Sequence, residues 1–157
     1  MTAPIYILYI SISGNTHAFI EELSDYAQQQ HALNDNQPVI HAKEISDADA
    51  PERESHAYFA FVPTYLDGGN GIDNGVKELM TNSLGEYIAY DDNRTRCLGI
   101  VGSGNKNFNL QYCLTAKRYA HDYGFPFLDD YELRGTQSDV ERIYATLVNT
   151  QNAHQEA

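Results

Sequence analysis

The chain has no tryptophan, two methionines and two cysteines. Cys97 and Cys113 are too few and too widely spaced for a disulfide framework or a cysteine metal site, and are expected as reduced, partly buried thiols. His41, His56, His121 and His154 show no metal-ligand spacing, and no Ser–His–Asp or Cys–His arrangement is readable. No stretch approaches the ~20 apolar residues of a membrane span. The start lacks the basic residues and long apolar run of a secretory leader, so a cytoplasmic location is expected. Positive charge is also scarce: 10 Lys and Arg stand against 22 Asp and Glu, a formal net charge of −12. That balance argues against nucleic acid and anionic membranes as partners, since both attract cationic proteins. An acidic surface can instead steer encounter with a basic patch on another protein.

What is present is ordinary for a globular domain. The 157 residues are 42% apolar, enough to bury a sizeable core. Residues 1–150 are expected to form a single domain, with a polar, frayed tail over 151–157.

Along the chain, strand and helix patterns alternate. Ile5–Ile10 is an apolar strand, and Phe19, Ile20, Leu23, Tyr26 and Ala27 make a helical stripe over 17–30. Val39–Ala42 reads as a short strand, and the acidic residues 44–55 with Pro51 are too broken to read as a helix. Ala57–Val62 is an unbroken apolar run of the kind buried on both faces. Asn74 is placed to cap the following helix, whose stripe runs from Val76 to Ile88 and which Gly85 could bend or split. Cys97–Val101 is a fourth strand, a helix over 111–123 is stopped by Gly124, and Pro126–Leu128 starts a fifth strand. Ser138 and Glu141 form a capping box ahead of Val140, Ile143, Tyr144, Leu147 and Val148. This alternation predicts an α/β fold: an open five-stranded parallel sheet in the order 2-1-3-4-5 with helices on both faces. Ligand would bind beyond the carboxyl ends of the strands, at the switch between strands 1 and 3.

Three unusual loops fall on that edge. The first is Ser11-Ile12-Ser13-Gly14-Asn15-Thr16, where a strand empties into a hydroxyl- and amide-rich turn that opens a helix. Unpartnered amides and the positive end of the helix dipole make such a turn a phosphate site. It lacks Lys and Arg and matches neither G-x-x-x-x-G-K-[ST] nor G-x-G-x-x-G, which disfavours nucleoside triphosphate and dinucleotide chemistry. The second loop, Thr64-Tyr65-Leu66-Asp67-Gly68-Gly69, and the third, Ser103-Gly104-Asn105-Lys106-Asn107-Phe108, combine aromatics with glycines and amides. Tyr65 and Phe108 could stack on a flat ring, and Asn105 and Asn107 could meet its polar edge. A phosphate plus a polar-edged planar ring describes flavin mononucleotide (FMN). A plain helix-capping turn and packing aromatics are the structural alternatives.

The layout resembles a flavodoxin, with Ser11–Thr16 matching [ST]-x-[ST]-G-x-T. More narrowly, Gly102–Phe108, Glu132–Val140 and Pro63-Thr64-Tyr65 resemble the NrdI family, flavodoxin-like partners of class Ib ribonucleotide reductase. The resemblance implies bound FMN, contacted by Ser11, Ile12, Ser13, Gly14, Asn15, Thr16, Thr64, Tyr65, Leu66, Asp67, Gly68, Gly69, Ser103, Gly104, Asn105, Asn107 and Phe108. It also implies a role in assembling the dimanganese-tyrosyl radical cofactor of the reductase's radical-bearing subunit: reduced flavin reacts with oxygen, and the oxidant passes to the metal site. A flavin or thiol reductase would supply electrons. This chain departs from the family pattern at Leu66 and Asp67, which interrupt a glycine run, at Lys106 for Arg and at Asn109 for Gly. Two other functions fit the same loops: an ordinary flavodoxin carrying single electrons, and a flavin-free module that holds a phosphorylated ligand.

Overall fold

The structure is a computed structural model that describes residues 3–11, 14–46, 50–63, 82–104 and 113–156. Its strands are β1 (Ile5–Tyr9), β2 (Ile40–Glu44), β3 (Tyr58–Pro63), β4 (Cys97–Gly104) and β5 (Phe127–Glu132). They form one sheet in the order β2-β1-β3-β4-β5, and every neighbouring pair is parallel. The predicted order therefore holds, with the switch point between β1 and β3.

The helices are α1 (Asn15–Leu33), α2 (Asn82–Ala89), the single turn α3 (Asn93–Arg96), α4 (Leu114–Tyr123) and α5 (Gln137–Glu156). They divide between the two faces of the sheet. Side chains of α1 and α5, among them Phe19, Leu23, Ile143 and Leu147, pack with Ile5, Ile7, Phe59, Phe61 and Val101. On the opposite face, Leu84 and Ile88 of α2 and Ala116 of α4 pack with Leu8, Tyr58, Ala60, Val62 and Ile100. The central strand β3 is buried along its whole length, and its residues alternate between the two cores. This explains the unbroken apolar run: a parallel strand covered on both faces has no side that favours polar residues. Edge strand β2 is the converse, with His41 to Glu44 all exposed.

Several local expectations shift. α1 begins two residues earlier than its apolar stripe, and β5 continues through Asp129, Asp130 and Tyr131 to Glu132. α2 is continuous through Gly85; a Cβ there would lie 2.9 Å from Tyr119 Oη, so the missing side chain lets α2 approach α4. The proposed cap at Asn74 lies outside the described residues, as do Gln111 and Tyr112 ahead of α4. Gly124 ends α4 in the left-handed conformation, as predicted. Both cysteines are buried, and neither forms a disulfide among the described residues. Asp92 and Asp129 pair with Arg53 and Arg142 respectively.

The capping box of α5 sits two residues earlier than Ser138 and Glu141. Thr136 Oγ1 accepts from the Asp139 N–H at 3.2 Å, and Asp139 Oδ2 accepts from the Thr136 N–H at 2.8 Å. The cause is the preceding turn, in which the Gly135 N–H donates to Glu132 O and Gly135 adopts φ +75°. A Cβ on Gly135 would lie 2.6 Å from the Phe19 ring, so the turn is pressed onto α1. The helix also runs past Gln151 to Glu156 instead of fraying into a tail. Gln151 is buried, and its Nε2 donates to the carbonyls of Ala3 and Pro4, tying α5 to the start of β1.

The cap yields a prediction with a pH signature. Burial alone would raise the Asp139 carboxyl, but the Thr136 N–H and hydroxyl and the Arg142 guanidinium outweigh it and hold it below the ordinary range. A carboxyl depressed in the folded state stabilises above its unfolded pKa, and that stabilisation is lost as pH falls through the folded pKa. Asp139→Asn should therefore cost about 1 kcal/mol at neutral pH. Urea unfolding should show the two proteins converging as acid titrates the folded carboxyl.

Candidate functional site

The carboxyl ends of β1, β3 and β4 gather the described part of the predicted loops. β1 ends at Tyr9; the Ile10 N–H still donates to Phe61 O at 3.4 Å, and Ser11 follows. Gly14 is the N-cap of α1, with φ +92° and ψ −9°. A Cβ there would meet nothing within 4 Å, so the torsion rather than crowding calls for glycine.

The first intrahelical bond runs from the Ala18 N–H to Gly14 O at 3.0 Å. Ahead of it, the His17 N–H donates to Ser11 Oγ at 3.2 Å, so one predicted loop hydroxyl caps the helix. No acidic residue lies in the first turn of this 19-residue helix, whose positive end favours an anion. Thr16 is 1% exposed, and its Oγ1 has no hydrogen-bond partner among the described residues. A buried hydroxyl without a partner costs about 1–3 kcal/mol. The site is thus a glycine-capped helix start with a hydroxyl held out of water and unspent. An oxyanion fits that chemistry: it accepts from the hydroxyl and is stabilised by the helix dipole.

Around this turn lies a cluster that the spacing of residues could not reveal. Parallel register sets Tyr9 beside Glu44 across β1 and β2, while His17 reaches back from the first turn of α1. The Tyr9 hydroxyl is 2.9 Å from His17 Nδ1, and His17 Nε2 is 2.6 Å from Glu21 Oε1. The Tyr9 hydroxyl also donates to Glu44 Oε1 at 3.4 Å. Burial first, and then the Glu44 carboxylate, push the Tyr9 phenol up to about 12, which keeps it protonated at neutral pH. His17 is half exposed, in line with a first-turn surface residue, but its ring is engaged by Tyr9 and Glu21. The only signal for this cluster was pairing of β1 with β2, which gives neighbours but not contacts.

On β4, the strand runs on beyond Val101 to include Ser103 and Gly104. Ser103 is 3% exposed and lies in register between Pro63 of β3 and Tyr131 of β5. Gly104 pairs with Glu132, and its carbonyl accepts from the Leu133 N–H at 2.9 Å. Ser11, Gly14, Asn15, Thr16, Ser103 and Gly104 therefore lie at the carboxyl ends of β1 and β4, on the edge of the sheet that the fold class required. Ile12, Ser13, Thr64, Tyr65, Leu66, Asp67, Gly68, Gly69, Asn105, Asn107 and Phe108 lie outside the described residues. Among the described residues no group of three or more His, Cys, Asp or Glu is arranged to hold a metal ion, and no helix is long and apolar enough to cross a membrane.

A family model described as NrdI flavodoxin-like matches residues 7–145. The chain is 50% identical over 151 residues to an NrdI-like protein of Streptococcus pyogenes serotype M18, covering 96% of this chain and 97% of that protein. It is 31% identical over 147 residues to protein NrdI of Mycoplasma genitalium, covering 94% and 84% respectively. Among solved structures, oxidised flavodoxin 2 from Bacillus cereus superposes with a TM-score of 0.63 at 18% identity, covering 96% of this chain and 99% of that one. A short-chain flavodoxin associated with a bacterial microcompartment gives 0.65 at 14% identity, covering 98% and 99%. At such identities these two matches speak to the fold.

Proposed function

Since this chain belongs to the NrdI flavodoxin-like family, whose cofactor is FMN, we propose that it serves the assembly of the dimanganese-tyrosyl radical cofactor of a class Ib ribonucleotide reductase. The observation that carries the cofactor half of this reading is Thr16: a buried hydroxyl without a described partner, in the first turn of a glycine-capped helix start that has no acidic residue. A phosphate monoester satisfies that hydroxyl and the dipole together. The partner half rests on family membership over nearly the whole chain.

Each residue has a role in this proposal. Ser11, Ile12, Ser13, Gly14, Asn15 and Thr16 bind the phosphate through main-chain N–H groups and hydroxyls. Ser11 Oγ also holds the His17 amide, which fixes the loop against α1. Tyr65 and Phe108 would stack on the flavin ring, and Asn105 and Asn107 would meet its polar edge. Thr64, Leu66, Asp67, Gly68, Gly69, Ser103 and Gly104 would complete the cofactor site. Bound FMN would supply the redox chemistry. The protein's share is to bind and orient the ring, set its polarity and present it to the partner. A negative charge at Asp67, if turned to the ring, disfavours an anionic reduced cofactor and lowers that potential.

The test is a visible spectrum, then anaerobic reduction and readmission of oxygen, with manganese-loaded radical-bearing subunit present. The expected result is a yellow protein, reoxidised rapidly, that generates tyrosyl radical in the subunit. Reversible reduction with no radical would sink the activation role and leave an electron carrier. A colourless protein that ignores added FMN would sink both.

A further inference from the structure

The glycine that caps α1 is not held by packing. A Cβ on Gly14 would meet nothing within 4 Å among the described residues. An anion site binds well only when its N–H groups and hydroxyl are aimed before the anion arrives, because the cost of ordering them later is subtracted from the affinity. The start of α1 therefore needs a tether other than van der Waals contact at its cap.

His17 supplies two. Its main-chain N–H donates to Ser11 Oγ at 3.2 Å, across the turn. Its ring turns back to the sheet, where Nδ1 lies 2.9 Å from the Tyr9 hydroxyl of β1. The two rings are tilted by 41° with centroids 6.1 Å apart, so a hydrogen bond and not a stack joins them. Two carboxylates face the same imidazole. Glu44 Oε1 of β2 is 3.4 Å from both the Tyr9 hydroxyl and Nδ1, and Glu21 Oε1, one turn along α1, is 2.6 Å from Nε2.

The tie survives a change of proton. Tyr9 donates to Nδ1 when that nitrogen is bare; when it is protonated, it donates to the Tyr9 oxygen and Tyr9 donates to Glu44. Tyr9 itself is firmly placed, since its ring is buried in the core that β1 shares with α1 and α5. His17 is half exposed, so water could satisfy its ring without Tyr9. The bond is thus dispensable for burial, and what it fixes is the direction of the first turn of α1. Thr16, with its buried and unspent hydroxyl, is the neighbouring residue.

We propose that His17, held by Tyr9, is a positioning residue for the phosphate of the cofactor. The tie between β1 and α1 sets the aim of the Thr16 hydroxyl and of the first-turn N–H groups. This rests on the reading of that turn as the phosphate site and specifies what holds it ready.

Tyr9→Phe keeps the core ring and deletes only the hydroxyl, and His17→Ala removes the imidazole without loss of helix propensity. Flavin fluorescence titration of the full-length chain should show each variant binding FMN roughly 3- to 10-fold more weakly, the worth of one hydrogen bond. Riboflavin, which lacks the phosphate, should bind wild type and both variants within about a factor of two. His17→Asn, whose amide can occupy the place of Nδ1, should bind FMN more tightly than His17→Ala. Because both changes delete one shared contact, the double variant should lose no more than the weaker single variant. Urea unfolding midpoints should stay close to that of wild type. Wild-type FMN affinity in either single variant, equal losses for FMN and riboflavin, additive losses in the double variant, or losses that track a lower unfolding midpoint would overturn the tie. If wild type binds riboflavin as tightly as FMN, the phosphate reading of the turn falls and this proposal with it.

Discussion

Valine in place of Thr16 is expected to give an apoprotein at least as stable as wild type that has lost most of its affinity for FMN. The two effects have opposite signs because they come from the same atom. In the free protein Thr16 Oγ1 is buried without a described partner, so replacing the hydroxyl by a methyl group of similar shape removes a desolvation penalty. With phosphate bound, that hydroxyl donates to a charged acceptor, a bond worth about 1.5–3 kcal/mol, so its loss should weaken binding by roughly 10- to 100-fold. Flavin fluorescence titration and urea unfolding of the apoprotein measure the two halves. Thr16→Glu, or Ser13→Glu, which brings a carboxylate to the phosphate, should abolish binding altogether. Unchanged affinity in Thr16→Val would remove Thr16 from the cofactor site, and a large loss of apoprotein stability would show that the hydroxyl is satisfied internally.

The second large effect is expected far from the cofactor, at Asn93. This residue is fully buried, and its side chain makes three hydrogen bonds to main chain. Nδ2 donates to Glu52 O and to Tyr87 O, both at 2.8 Å, and Oδ1 accepts from the Glu54 N–H at 2.7 Å. Asn93 O accepts in addition from the Tyr58 hydroxyl at 2.9 Å. Asn93 thereby joins the end of α2 to the segment that leads into β3. Truncation to alanine leaves the Glu52 carbonyl and the Glu54 N–H without their partner, while Tyr87 O keeps the Tyr90 N–H. Each such group costs about 1–3 kcal/mol, so Asn93→Ala should lose roughly 3–5 kcal/mol and lower the unfolding temperature by about 10 °C. Asn93→Asp should be at least as damaging, since it keeps an acceptor but turns the two donor contacts into oxygen facing oxygen. A shift of only a degree or two in calorimetry would show that water replaces the amide easily.

Asn93 also marks the limit of what could be read from the chain. Asp91-Asp92-Asn93 looks like an ordinary polar turn, and nothing local distinguishes an amide with three long-range partners from a solvated one. The same holds for Tyr9, His17 and Glu44, which meet only because β1 and β2 pair in a particular register. The cap of α5 moved from Ser138 to Thr136 because Gly135 is pressed against Phe19, far away in the sequence. Gln151 reads as the start of a polar tail, yet it is buried against Ala3 and Pro4 at the opposite end of the chain.

What the sequence determined by itself was everything governed by short-range periodicity and steric rules. Continuous apolar runs of this length read as strands buried on both faces, alternation of strand and helix patterns dictates a parallel sheet, and a glycine before a hydroxyl-rich helix start makes an anion site. These are properties of neighbouring residues, and five strands and their order followed from them. Only the tertiary structure decided which polar groups are buried with partners and which hydroxyl is buried without one. Those outcomes depend on desolvation and on contacts between residues distant in sequence, and neither quantity exists until the chain is folded.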